Sequence, residues 1–124
     1  MTSSNSDSIN KVTLKGRLGK TPEIKDFGNG GSVANFSLAT AEVYRDRNRQ
    51  LQEKTDWHNV AVFAKAQVEA CRHLQSGDLV QVEGKLETRS YDKDGQKHYR
   101  TEVCVRSDAV HSVQLAARAA PRPA

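Results

Sequence analysis

Long apolar runs are missing from this sequence: the longest, Val60 to Ala64, falls far short of the roughly 20 residues that a helical membrane span needs. At the start, Met1 to Asn10 is rich in Ser and Asn, with no basic cluster leading into an apolar segment, so no secretion signal is read and a cytosolic address is the default expectation. Cysteine is scarce. Cys71 and Cys104 stand far apart without CxxC spacing, which argues against a disulfide framework or a zinc knuckle and leaves two buried, reduced thiols as the expectation. The histidines His58, His73, His98 and His111 are scattered, and no two share a metal-ligand spacing on one element, so no metal site is expected. Neither cysteine sits in a nucleophile motif, and the run Gly28 to Gly31 lacks the lysine and the following helix of a phosphate loop. The expectation is therefore a protein with no catalytic residues, no metal and no cofactor.

A strong excess of charge is lacking too. Nineteen basic against fifteen acidic side chains give a net +4, too little to identify an anionic partner unless the charges are clustered. What is present fits one domain: 124 residues, 36% hydrophobic and 27% charged, enough for a modest core. Residues 1–8 read as a flexible tail, 9–115 as the folded domain, and 116–124, small and basic with two prolines, as a second disordered tail.

Between the tails the apolar pattern alternates with period two. Val12, Leu14 and Gly16 form one face of a first strand, Pro22 to Phe27 continues as a short extended piece, and Gly28-Asn29-Gly30-Gly31 marks a turn. Val33 to Tyr44 returns as the second strand, with Ala34, Phe36, Leu38 and Thr40 on one face. Arg45 to Thr55 carries four cations against two anions and no strand pattern, and reads as a basic loop. Asp56 to Lys65 is the third strand, with Trp57, Asn59, Ala61, Phe63 and Lys65 opposite His58, Val60, Val62 and Ala64. From Lys65 to Leu74 the period changes to that of a helix, with Gly77 as its stop. Leu79 to Tyr91, with Val80, Val82, Gly84 and Leu86 inward, and His98 to Arg106 close the pattern around an Asp94-Gly95 hairpin turn. The fold expected is an all-β, five-stranded antiparallel Greek-key barrel with one short helix between the third and fourth strands.

The aromatics carry the functional signal. Trp57 and Phe63 fall opposite Val60 and Val62, where a small barrel would show them to solvent; the reverse assignment of faces would bury both rings. Tyr44 and Tyr91 stand beside basic or turn residues, as half-buried hairpin tyrosines or as platforms. Interleaved with Arg45, Arg47, Arg49, Lys54, Lys65 and Arg89, the four rings make the surface that a single-stranded nucleic acid requires: bases stack on rings while cations follow the phosphates.

From Asn10 to Leu115 the sequence resembles the bacterial single-stranded DNA-binding proteins of the homotetrameric OB-fold type. The resemblance is carried by Asn10-Lys11-Val12, Gly16, Leu18-Gly19 with Pro22-Glu23, Gly30-Gly31 before Val33-Ala34-Asn35, Leu38-Ala39-Thr40, Thr55-Asp56-Trp57-His58, Phe63-Ala64-Lys65, and Val82-Glu83-Gly84-Lys85-Leu86 with Thr88-Arg89. It implies base stacking on Trp57, Phe63, Tyr44 and Tyr91, the last two often tryptophan in the family. It also implies a DNA path lined by Lys11, Lys25, Arg45, Arg47, Lys65 and Arg89, whereas Ser76 and Ser90 stand where basic residues are common. Arg49 joins this set from the basic loop, and His58 matches a histidine near the family's subunit interface. The implied partners are single-stranded DNA and further copies of the chain, as a tetramer or a dimer, with no membrane. The implied place is the cytoplasm, with the nucleoid. The implied role is protection of single strands in replication, recombination, repair or DNA transfer.

The resemblance departs at the C-terminus, where no acidic residue follows Asp108. Docking of partners through an acidic tip is therefore not expected. A truncated chain, a plasmid, phage, mobile-element or DNA-uptake paralogue, or partners that touch the barrel itself would each account for this. The alternative function is a dimeric, primosome-type adaptor that recruits proteins and binds DNA weakly. An RNA-binding OB module, distinguished by recognition of the 2′-hydroxyl, and an oligonucleotide-cleaving enzyme complete the alternatives.

Overall fold

Period-two alternation makes strands of most of this chain, and the computed structural model describes residues 7–118. In chain order the elements are β1 (Val12–Leu18), β2 (Glu23–Asp26), β3 (Ser32–Arg45), β4 (Leu51–Val62), α1 (Lys65–Cys71), β5 (Leu79–Lys93), β6 (Gln96–Val105) and β7 (Ser112–Ala117). Five of these strands, in the order β1-β3-β4-β6-β5, form a barrel that closes because β5 pairs back onto β1. The short helix lies between the third and fourth barrel strands, which is the OB-fold arrangement. β2 adds to β3, and β7 adds to β5.

One pairing departs from the expected all-antiparallel barrel: β4 and β6 run parallel, from Val60↔Val103 to Val62↔Val105. The reason is topological. Around a ring with an odd number of strands, direction cannot alternate at every step, so at least one neighbouring pair must be parallel. The β5–β6 hairpin brings β6 back beside β4 in that orientation, and the other pairings are antiparallel. Its turn, Asp94-Gly95, has positive φ at both residues (54° and 77°), which matches the right-handed twist of the flanking strands.

Closure depends on close approaches of backbone to glycine. β1 pairs with β5 along Val12 to Arg17 and then switches to β3 at Arg17 and Leu18. Gly16 stands at this switch, where a Cβ would run into the carbonyl oxygen of Ala39. β5 switches in the same way. Leu79 to Glu83 lies between β1 and β7, Lys85 onward pairs with β6, and a Cβ on the intervening Gly84 would lie 2.6 Å from the carbonyl oxygen of Cys104.

Inside the ring, Leu18, Ala34, Phe36, Leu38, Val60, Val62, Val80, Val82, Val103 and Val105 form the core. Val68 and Cys71 of α1 plug one end. With seven residues and no side-chain N-cap, α1 is too short to stand alone and is held by this burial. Gln67 also accepts a hydrogen bond from the Val113 amide at 2.8 Å, tying α1 to β7. The helix ends at Cys71, before the expected Leu74 and well before Gly77. β7 runs on to Ala117, past the expected domain end at Leu115. Beyond it, the Arg118 guanidinium donates to the His73 carbonyl (2.7 Å) and pairs with the buried carboxylate of Asp78 (3.0 Å). Of the expected tails, residues 1–6 and 119–124 lie outside the described residues. Both cysteines are free and buried, and burial pushes the Cys71 thiol up to about 12 and the Cys104 thiol up to about 11.

The Arg45 to Thr55 segment is shorter as a loop than its composition implies. β3 reaches Arg45 and β4 begins at Leu51, so the turn is 46–50 and the rest is a two-stranded ribbon. No alternation marks it, because past Thr40 both of its faces are in solvent. Gly16→Ala is expected to lower stability by at least about 3 kcal/mol, the upper end of overpacking costs, since the obstacle is backbone and cannot swing away. A shift of the urea unfolding midpoint measures it; an unchanged midpoint would show that β1 and β3 separate there without penalty.

Candidate nucleic-acid interface

Two ribbons leave the closed barrel. The β3–β4 ribbon ends at Arg45↔Leu51 and the β5–β6 ribbon at Lys93↔Gln96. The first has a tightly built tip. Asp46 Oδ1 accepts the amides of Asn48 (2.8 Å) and Gln50 (2.9 Å), and the Arg45 guanidinium donates to the Arg49 carbonyl at 3.1 Å. The backbone at Arg49 takes a positive φ of 60°. This geometry sets Arg45, Arg47 and Arg49 around one exposed tip, with Tyr44 exposed beside them opposite Gln52. On the second ribbon the Tyr91 ring stacks on His98, centroids 5.5 Å apart and planes at 22°. That contact occupies one ring face of Tyr91.

Trp57 is on β4 opposite Ala39 and is 61% exposed, on the side of the strand away from the buried Val60 and Val62. Its six-membered ring rests on Gly19: a Cβ there would lie 2.7 Å from indole Cζ3. The indole forms one wall of a cleft of about 440 Å³ that also involves Thr21, Asn35, Phe36, Asn59, Arg100 and Glu102. Glu102 is only 4% exposed, and a carboxylate at that burial requires compensation. Arg89 supplies it at 2.9 Å, and Arg100 approaches the other oxygen at 3.6 Å. Lys20 and Glu23 also line the cleft, so its walls carry charges of both signs.

The other residues singled out are placed individually. Phe63 is a correction to the expected strand: β4 stops at Val62, and the amides of Phe63 and Ala64 both donate to the Val105 carbonyl (2.7 and 3.1 Å), which breaks the alternation. Phe63 is half-buried, with the Arg106 guanidinium 4.3 Å above its ring centroid. Lys65 opens α1 and does not share the face of Trp57 through strand register. Lys11 is exposed just before β1, and Lys25 is exposed on β2 opposite Val33. His58 shares a 2.8 Å hydrogen bond with the Thr40 hydroxyl. Of the expected binding residues, Trp57 alone lines the cleft; Phe63, Tyr44, Tyr91 and the remaining cations are distributed over the ribbons, the strand ends and the helix start.

Sequence reasoning missed Gly19, Asn59, Arg100 and Glu102 as parts of the site. The signal available for Glu102 was its place just before Val103 and Val105, in a strand whose far half is polar. It did not show that the barrel half of β6 is covered on both faces, with Glu102 and Cys104 buried alongside the valines. Leu86 errs the other way, expected inward yet 48% exposed, because β5 leaves the β1 side of the barrel at Gly84. Among the described residues, no group of three or more His, Cys, Asp or Glu is placed to hold a metal ion, and no helix is long and apolar enough to cross a membrane.

A closed five-stranded barrel with an exposed indole beside a polar cleft, and two exposed ribbons that carry arginines and tyrosines, belongs to the class of OB-fold modules that engage strands of nucleic acid. Within that class, the chain belongs to the single-strand binding protein family, whose model it matches over residues 9–115. Among solved structures it is similar to a Plasmodium falciparum SSB in complex with ssDNA, at 38% identity and a TM-score of 0.81, the match covering 90% of this chain and 97% of that one.

Gly19→Ala is expected to move the indole. Trp57 is the sole tryptophan, so the emission maximum and anisotropy of the free protein report on it alone. Spectra identical to those of the parent would show that the ring does not rest on Gly19.

Proposed function

We propose that this chain, which binds single-stranded DNA as a member of its family, holds the strand by stacking bases on exposed aromatic faces and neutralising phosphates with the surrounding cations. The observation that carries this reading is the indole of Trp57, exposed to solvent, seated on Gly19 and set against a cleft where two arginines flank one buried carboxylate. An exposed ring already in contact with the barrel offers a base a stacking surface with less loss of rotamer freedom. Phe63, Tyr44 and Tyr91 extend the stacking path, and Lys11, Lys25, Arg45, Arg47, Arg49, Lys65 and Arg89 provide the phosphate contacts. Arg89 does so from its pairing with Glu102, and Arg100 joins it there. Stacking does not read sequence, so binding is tolerant of base composition.

The role proposed is protection of exposed single strands during replication, recombination, repair or DNA transfer, in the cytoplasm and without catalysis. Assembly into a homotetramer, with His58 near the contact, belongs to the same proposal; the half-exposed Leu86 and the Trp57 edge share a second small pocket with His58.

Titration with oligo-dT is expected to quench Trp57 emission, while duplex of equal length leaves it unchanged. The affinity should fall with salt along a slope of about −0.7 per phosphate contact. Trp57→Ala is expected to weaken binding by about five- to a hundredfold, corresponding to roughly 1–3 kcal/mol of stacking. Tyr44→Ala should cost less, since phenol presents the smaller face. Equal losses, or no quenching by oligo-dT, would remove Trp57 from the stacking path and favour the adaptor role.

A further inference from the structure

Where β4 stops, three side chains from different parts of the chain form one stack. The Arg106 guanidinium carbon lies 4.3 Å from the Phe63 ring centroid. Its Nη2 donates to Glu87 Oε1 at 2.9 Å and its Nε to the other carboxylate oxygen, so the fork is bidentate. A guanidinium held at two points has a fixed plane, which a lysine in the same place would lack. The surroundings fix it further. Lys85 Nζ is 3.7 Å from the same carboxylate, and the Arg106 amide donates to His111 Nδ1 at 3.1 Å. The Phe63 amide itself donates to the Val105 carbonyl, so ring and guanidinium are anchored to the same strand end.

We propose that Glu87 and Arg106 are positioning residues for Phe63, capping one face of its ring and locking its orientation so that the other face is presented, already ordered, to a base of single-stranded DNA. This rests on the reading of Phe63 as a stacking platform. The Arg106 charge is engaged by Glu87 and serves the ring, not a phosphate. Hydrogen bonding from Arg106 holds the Glu87 carboxyl below the usual carboxylate range, so the fork is intact at neutral pH.

The proposal reverses an elementary expectation. An acidic side chain beside the path of a polyanion should oppose binding, and its removal should tighten the complex. As the support of a ring, its removal should weaken it. The experiment measures fluorescence anisotropy of labelled oligo-dT over a range of salt for the full chain and for Phe63→Ala, Glu87→Gln, Arg106→Ala and Arg106→Lys, each with a thermal melt to establish folding. Glu87→Gln and both Arg106 variants are expected to weaken binding about twofold to tenfold, the cost of ordering one side chain on association. The salt slope should stay that of the parent, and in a Phe63→Ala background Glu87→Gln should have no further effect. Should Arg106→Ala fail to fold, Arg106→Lys keeps the charge while losing the fork and carries the same expectation. Tighter binding by Glu87→Gln, or a salt slope shallower by about 0.7 in Arg106→Ala, would overturn the brace and leave Phe63 as a platform. No effect of Phe63→Ala would overturn both.

Discussion

Backbone lying against backbone at Gly16 and Gly84 is the constraint on which this molecule depends. At those points β1 passes under the Ala39 carbonyl and β5 under the Cys104 carbonyl, with no room for a side chain. Because each strand changes partner there, five strands close into a ring instead of ending in open edges that could recruit other chains. The odd ring then imposes the parallel β4–β6 contact, which sets the cleft residues Trp57 and Asn59 on one strand near Arg100 and Glu102 on the other.

A closed ring uses only part of β3 to β6. What remains of these strands extends outward as two ribbons, each exposed on both faces and each ending in turn residues with positive φ. Such ribbons bury little, so their sequence is free to carry tyrosines and arginines that a core would not accept. The rings nearer the barrel are treated differently: Trp57 is in contact with a glycine and Phe63 lies under a guanidinium, so the protein itself holds both. Rigid scaffold and adaptable periphery thus divide the surface between them, a division suited to a ligand whose backbone is uniform and whose bases vary.

How much of this was legible in the sequence follows from where burial is one-sided. Val12, Leu14, Gly16 and Val80, Val82, Gly84 alternate cleanly because their strands face the core on one side; the exposed side of Trp57 could be read from Val60 and Val62, although Ala61 on that same side is buried. Where burial is two-sided, as at Glu102 and Cys104, or absent, as from Ala41 to Thr55, the pattern carries no face information. Alternation and the interleaved cations pointed to the stacking set, and the family resemblance implied the same rings, yet the partners of those rings were invisible. Gly19 lies far from Trp57 in sequence, and Arg106 meets Phe63 only because β4 and β6 run side by side. Long-range contacts of this kind have no periodicity to betray them.

The buried thiols have a use that nothing in their chemistry anticipates. Cys71 is on the buried face of α1 and Cys104 on β6 where it pairs with Lys85 of β5, and burial keeps both protonated and unreactive. A thiol reagent can therefore reach each only when its own part of the fold opens, the helix lifting in one case and the β5–β6 seam parting in the other. The molecule carries two built-in clocks, and their separate alkylation rates time the breathing of its plug and of its wall.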